Sequence, residues 1–436
     1  MSDSKPVIVI GGGLAGSEAA WQLARRGVRV DLYEMRPVVQ TPAHATTQLA
    51  ELVCSNSFKA EAPDTASGLL KAELRRCSSL LLRIADGARV PAGGALAVDR
   101  DRFSASVTEA IEGEGLIQVH RREMTELPQD RMVIVAAGPL ISEALARSVA
   151  QFTGEKYLYF YDAISPIVER GSIRTERTFR ASRYGKGGED YLNCPLTETE
   201  YDRFYEALAG SEIYPTHDFE KNLFFEGCLP IEEMARRGRE TLLFGPMKPV
   251  GLIDPATGRR PFAVIQMRQD NLAADHFNLV GFQTQMRRRE QDRVLRIIPA
   301  LENAVFVRYG QVHRNSYINS PALLLPTLQA RTRPTLFFAG QIAGVEGYVE
   351  AMATGLISGI NAARLAAGEE PVVFPRTTAL GSLLHYICQT DSHDYQPSNI
   401  RFGLLPPPAA PTPRRKRRQV MTQRALEDLE RWKAEC

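Results

Sequence analysis

Nowhere in the 436 residues does an apolar run approach the roughly 18 residues that a membrane-spanning helix needs. Cysteine is sparse. The six (Cys54, Cys77, Cys194, Cys228, Cys388 and Cys436) are scattered, with no CxxC pair and no zinc-type spacing. Seven histidines stand apart without an HExxH arrangement, so no metal site is expected. An excess of one charge is missing too: 53 Lys and Arg stand against 51 Asp and Glu, a net +2. Any nucleic-acid surface must therefore be a local patch. Met1 leads almost directly into Val7-Ile8-Val9-Ile10, too short for the apolar core of a signal peptide. A cytoplasmic location is expected, with the cysteines as free thiols. Internal repeats are absent as well.

What is present reads as an ordinary globular chain, 44% hydrophobic and 24% charged, long enough for two or three domains. Its clearest segment is the first. Val7 to Ile10 is a β-branched run, Gly11 to Gly16 a glycine turn, and Ser17 to Arg26 helical in pattern. After Gly27, Val28 to Tyr33 reads as a second strand closing on Glu34. Gly11, Gly12, Gly13, Leu14, Ala15 and Gly16 fit GxGxxG in this strand–turn–helix setting, and Glu34 lies 18 residues past Gly16. Such a turn lets a pyrophosphate approach the backbone at a helix N-terminus, and the acid suits a ribose.

Beyond it, residues 37–63 lose periodicity, Gly68 to Leu82 reads as one helix, and Met132 to Ala136 as a buried strand ending at Gly138. The texture changes near Tyr159, with more aromatics, short glycine turns and basic clusters at Arg236-Arg237 and Arg287-Arg288-Arg289. Near Val305 the first pattern resumes: Leu336 to Gly340 is strand-like, and a glycine turn through Gly347 opens a small-residue helix, Val349 to Leu365. Pro406 to Pro413 forms a stiff linker, and Arg414-Arg415-Lys416-Arg417-Arg418 begins the last stretch. The expected architecture is α/β, a Rossmann-like FAD-binding domain (1–160 and 305–405) with an inserted α+β domain (161–304), then a Pro-rich linker and basic tail (406–436). FAD is expected rather than NAD because a late strand, glycine turn and helix return to the first fold, as two-dinucleotide-fold flavoproteins require. Gly138, Gly340 and Gly347 join the cofactor-binding candidates.

Several stretches together resemble one family: Gly11 to Glu34, Met35-Arg36-Pro37, Leu52 to Ser57, Pro91 to Arg100, Phe224 to Cys228, Leu243 to Gly251, His313 to Asn315, and Gly344 to Tyr348. They are similar to the bacterial methylenetetrahydrofolate–tRNA-(uracil-5-)-methyltransferases, the TrmFO family. The likeness runs from about Val7 to Leu405. Ala137 departs from it, where a Thr is common, and so do Ile342-Ala343, where Met-Thr is usual. The resemblance implies 5-methyluridine formation in the T-loop of tRNA, with 5,10-methylenetetrahydrofolate as carbon donor, FAD, NADPH or NADH as reductant, and no obligate protein partner. Cys54 and Cys228 are implied as the catalytic thiols. Uracil C5 becomes nucleophilic only once a group adds to C6, and a thiolate suits that addition. Cys228 is favoured for the attack and Cys54 for proton handling or a second covalent role, with the division left open.

His313, Arg314 and Asn315 are candidates for folate binding, against the plainer reading of surface residues. Lys248, Arg287, Arg288 and Arg289 are candidates for tRNA backbone contacts, against solvated charge. Three rival readings remain: a larger FAD protein modifying the tRNA wobble uridine, a small-metabolite flavin dehydrogenase, and a non-catalytic flavin-retaining scaffold.

Overall fold

The computed structural model describes residues 5–41, 43–154, 158–214, 229–393 and 395–435, with backbone alone at 158–162 and 313–314. Strand Val7–Ile10 is buried at every position, as an uninterrupted apolar run should be when helices cover both faces of a parallel sheet. It pairs in parallel with Val30–Glu34 on one side and Val133–Val135 on the other. Ile117–Arg121 extends the sheet beyond the first neighbour and Arg333–Phe338 beyond the second, again in parallel. Gln329–Ala330 closes one edge antiparallel. The result is a six-stranded, Rossmann-like sheet whose central strand carries the glycine turn at its carboxyl end.

Residues 163 to 308 build a second, six-stranded antiparallel sheet in the order Phe179–Arg180, Tyr191–Leu196, Ala263–Gln269, His276–Leu279, Ile167–Glu169, Phe306–Arg308. It has its own core, including Tyr201, Phe204, Phe277 and Phe282. Phe306–Arg308 still pairs with Ile167–Glu169, so the chain rejoins the first sheet only at Gln329. The two crossings between sheets pair with each other, Leu158–Ala163 antiparallel to Val312–Tyr317.

The single helix read over Gly68 to Leu82 is two, Ala66–Arg76 and Leu80–Gly87. Ser78 takes a positive φ of 60°, and Ser79 caps the second helix through Leu82 N–H at 3.3 Å. Buried Glu18 accepts from Ser79 Oγ, Leu80 N–H and Leu81 N–H at 2.8, 3.3 and 3.1 Å. A serine pair thus supplies the break that apolar periodicity conceals. The tail is ordered as well: Arg414–Glu435 is a helix burying Met421, Ala425 and Leu429. Among the described residues no helix is long and apolar enough to cross a membrane.

Glu73 is fully buried, accepting Ala379 N–H at 2.7 Å and Leu380 N–H at 2.9 Å at the start of helix Ala379–Gln389. Burial pushes its carboxyl up to about 8, against the lowering pull of those two amides. An acid raised this way binds a proton in the folded state that the unfolded chain has lost. Its contribution is complete below the ordinary value of 4.5 and fades as pH rises to about 8. Thermal melting of the wild type is expected to fall across that window, and Glu73→Gln, uncharged throughout, to flatten the fall. An unchanged slope in the variant would assign the pH dependence elsewhere.

Candidate active site

The glycine turn is shaped by how closely backbones approach. A β-carbon on Gly16 would stand 1.8 Å from the Gly11 carbonyl oxygen, and one on Gly11, at φ +104°, 2.4 Å from that of Ala136. Those two glycines let the turn, helix Leu14–Ala24 and the Val133–Val135 strand meet. Gly13 differs: nothing lies within 4 Å of its β-carbon position, and it lines a deep cleft. Gly13 is the helix N-cap with no side-chain cap bond, so first-turn amides are left for an anion.

Glu34 sits beside this turn, accepting Gly12 N–H at 3.0 Å on Oε2 and both Arg36 N–H (3.0 Å) and Arg36 Nε (2.9 Å) on Oε1. Burial alone would raise its carboxyl, yet Arg36 and the two amides hold it below the ordinary carboxylate value. Oε2 retains acceptor capacity toward the cleft that Glu34 lines. Buried Arg36 also donates to Glu51 Oε2 at 3.0 Å. His44 in the same wall is pushed down to about 4, by burial and then by Arg36, and stays neutral at physiological pH.

The far wall is the return segment. Gly340, at φ +79°, donates its N–H to Thr354 Oγ1 at 2.8 Å. Gly347, at φ +114°, opens helix Tyr348–Ala366. Gly11, Gly13, Leu14, Ala15, Glu34, Gly138, Gly340 and Gly347 all line this one cleft. Gly12 and Gly16 support it from behind, Gly12 through its bond to Glu34. An uncapped helix end, an open β-carbon position, a ribose acceptor and a glycine-lined far wall fit a dinucleotide such as FAD. Buried Ile342 and Ala343 pack behind the turn, so that departure changes packing rather than the lining; Ala137 does line it.

Cys54 lines the same cleft. Its N–H donates to Tyr348 Oη at 2.7 Å, and its Sγ reaches Ala163 O at 3.9 Å. Burial, then Cys54 itself, holds the Tyr348 hydroxyl far above its ordinary value, so it remains neutral. Arg100 donates to Leu52 O at 2.5 Å and to Cys54 O at 2.8 Å, and grips Asp270 at the end of strand Ala263–Gln269 through two bonds, 2.7 and 3.0 Å. Asn56, fully buried, donates to Gln269 O at 3.1 Å and accepts Arg268 Nε at 2.9 Å. The cysteine loop is therefore clamped between the return helix and the second sheet. Arg100 and Arg308 both interact electrostatically with Cys54.

Asn315 is buried and lines the cleft; His313 and Arg314 are described only as backbone of the same strand. Cys228 lies outside the described residues. On either side of its segment, Tyr214 N–H donates to Gln285 O at 3.0 Å and Ile231 N–H to Gln283 O at 2.7 Å. Between them, Thr284 N–H reaches the carbonyl of Ile164, a cleft residue, at 3.3 Å. Burial pushes Cys77, Cys194 and Cys388 up to about 12, leaving them unreactive thiols; Cys436 is outside the described residues.

None of the basic candidates lines the cleft. Arg287 precedes helix Arg288–Leu295 and reaches Glu212 at 3.5 Å. Arg288 lies 5.7 Å from the Tyr309 ring centroid. Arg289 borders a shallow hollow with Arg203, Arg293 and Arg296. Half-buried Lys248 offers its carbonyl to Arg183 at 2.6 Å. Sequence reasoning did not single out Arg100, Asp270, His44, Arg308 or Lys59. Arg100 does close the Pro91 to Arg100 stretch, but nothing in the spacing pairs it with Asp270.

Fold and cleft together define a dinucleotide-binding α/β protein with a cysteine at the cofactor cleft. Residues 6–370 match the family described as Glucose inhibited division protein A. The chain is 58% identical over 430 residues to a protein of Pelotomaculum thermopropionicum named methylenetetrahydrofolate–tRNA-(uracil-5-)-methyltransferase TrmFO, covering 98% of both chains. Proteins of the same name from an Exiguobacterium species and Geobacter sulfurreducens are 58% and 56% identical, with 98% of this chain covered in each case. The protein belongs to the TrmFO family. A match of that length extends the likeness past Leu405 into the terminal helix. Among solved structures, the GidA protein of Aquifex aeolicus in its form II crystal superposes with a TM-score of 0.69 at 17% identity. That alignment covers 98% of this chain but 73% of GidA, a likeness of fold.

Gly13→Val and Gly16→Val separate binding from folding. The first should fold normally and purify without FAD, because its side chain fills open cleft. The second should lose about 3 kcal/mol or more to overpacking, read as a lower melting temperature. A Gly13→Val protein with a full complement of flavin absorbance would remove the cofactor from this cleft.

Proposed function

We propose that the protein methylates C5 of a uridine in the T-loop of tRNA, with 5,10-methylenetetrahydrofolate as carbon donor and FAD as electron carrier. The observation that carries this reading is Cys54 in the lining of the dinucleotide cleft, in a chain that belongs to the TrmFO family. Bound FAD, once reduced by NADPH or NADH, supplies the two electrons by which a methylene-level carbon becomes a methyl group.

The protein's own groups prepare the uracil. A thiolate adds to C6, forming an S–C6 bond and placing the electron pair at C5, which bonds to the methylene carbon as that carbon's bond to one folate nitrogen breaks. Loss of the C5 proton to a base, with cleavage of the carbon's bond to the second folate nitrogen, leaves a methylene group at C5 and frees the folate. Two electrons and a proton, which reduced flavin would supply, turn that methylene into a methyl group as the C5–C6 double bond re-forms and the S–C6 bond breaks to release the thiolate. Cys228 is assigned the attack and Cys54 the proton-handling or second covalent role. Support for Cys54 comes from its Arg100 and Arg308 surroundings and the Tyr348 bond that sets its backbone. His313, Arg314 and Asn315 are assigned to the folate, Asn315 being a buried amide in the cleft wall. Lys248, Arg287, Arg288 and Arg289 are assigned to tRNA phosphates on the inserted α+β unit. The wobble-uridine reading is disfavoured because the chain is 58% identical to a TrmFO relative over 98% of both chains.

Unmodified tRNA transcript, NADPH and methylene-labelled tetrahydrofolate should yield labelled 5-methyluridine, whereas S-adenosylmethionine should not replace the folate. Cys54→Ala and Cys228→Ala should each lower methyl transfer at least 100-fold while holding FAD and oxidising NADPH at the wild-type rate, since electron delivery needs no thiol to activate uracil. With 5-fluorouridine at the target, a covalent RNA–protein adduct should form and disappear in Cys228→Ala. Its loss in Cys54→Ala instead would exchange the two roles. Full methylation by both variants would sink the thiol assignment.

A further inference from the structure

The basic run Arg414-Arg415-Lys416-Arg417-Arg418 has no part in the cleft, and its placement is physically costly. It forms the start of helix Arg414–Glu435, whose first turn carries no acid. Positive side chains there oppose the helix dipole, and like charges three and four residues apart repel one another. All five are exposed, and among the described residues none has an acidic partner. Packing holds the helix in spite of this. Met421, Ala425 and Leu429 are buried, the Trp432 ring lies tilted against that of Phe374 with centroids 4.2 Å apart, and Thr422 Oγ1 donates to Pro63 O at 3.0 Å. Asp428 accepts Thr377 Oγ1 at 2.6 Å, and Lys433 donates to Arg76 O at 2.9 Å. Five cations are thus presented on a rigid mount.

We infer that this basic first turn is a second binding site for the phosphodiester backbone of the tRNA, separate from the Arg287 to Arg289 cluster. The inference rests on the proposed function in taking tRNA as substrate. Charge complementarity to a polyanion removes both costs at once: bound phosphates neutralise the mutual repulsion and the conflict with the dipole. Geometry suits the same ligand. Thr422 is tied to Pro63, four residues from Lys59 on the cleft wall. At about 1.5 Å of rise per helical residue and at most about 3.5 Å per extended residue, Arg414 lies within about 30 Å of Lys59. One arm of a tRNA can lie across both. An anionic membrane is the poorer fit. The helix's apolar stripe is already buried, and Val420 is the one apolar residue exposed between Arg414 and Val420, whereas interfacial helices keep an apolar face for lipid.

The test uses the full-length flavoprotein and the triple variant Arg414→Gln, Arg415→Gln, Lys416→Gln. Arg417 and Arg418 are kept because they touch Thr412 O and the Phe402 ring. Glutamine is a sound helix former, so the fold should persist, with a melting temperature equal to or above that of the wild type. Affinity for tRNA should fall at least tenfold at low salt, and the log–log salt slope should shrink by about 2, some 0.7 to 0.9 per lost phosphate contact. KM for tRNA should rise while kcat at saturating tRNA and the rate of NADPH oxidation hold. Unchanged affinity and slope would overturn the inference and leave the proposed function standing. So would a lower melting temperature with affinity intact, which would make the run structural. So too would wild-type co-sedimentation with phosphatidylglycerol vesicles, lost in the variant while tRNA affinity holds. A wild type that binds no tRNA would overturn the proposed function together with the inference.

Discussion

Backbone meets backbone at the centre of this molecule, and the rest of the site depends on that contact. Helix Leu14–Ala24 lies against helix Tyr348–Ala366 so closely that a β-carbon on Gly355 would stand 2.2 Å from the Ala15 carbonyl oxygen, and one on Gly359 2.7 Å from that of Ala19. Small residues on both surfaces permit this approach, and any larger side chain would wedge the helices apart. Their contact brings the return turn at Gly340 to Gly347 opposite the glycine turn at Gly11 to Gly16. A cleft with a phosphate-ready wall and a facing glycine-rich wall follows from that single approach.

The second constraint is the clamp on the cysteine loop. Arg100 and Asp270 are nearly buried, with side-chain exposures of 12% and 6%. A buried pair of this kind adds little net stability, but removing one partner commonly costs about 3–5 kcal/mol because the other charge is stranded. Its value lies in specificity. The same guanidinium that meets Asp270 also fixes the carbonyls of Leu52 and Cys54, so the second sheet sets where the thiol stands relative to the cleft. Asn56, bound to Arg268 and to Gln269 O, repeats the connection two residues later.

Charge is divided between the cleft and the outer surface. Beside the glycine turn, Arg36 is buried and paired between Glu34 and Glu51. On the outside, Arg287, Arg288 and Arg289 and the first turn of the terminal helix leave cations exposed. A chain with a net charge of +2 thus concentrates its exposed positive charge in patches, whose fields are local and salt-sensitive.

Local physics alone made the Rossmann unit legible. A four-residue apolar strand, three glycines at fixed offsets and an acid ending the next strand are each a short-range demand of one ligand, so they are written contiguously. The same holds for the glycine turn at 340–347. The helix break at Ser78 was hidden because the apolar pattern continues across it while a positive φ and a serine cap interrupt the backbone. The terminal helix was hidden because its charges run against the dipole and its stability comes from Phe374, Pro63 and Thr377. Only the tertiary structure paired Arg100 with Asp270, 170 residues away, and set Tyr348 on the Cys54 amide. Such contacts cross between elements whose sequence distance carries no periodic signal. Their partners are chosen by how the sheets and helices pack, and no local pattern in the chain encodes that.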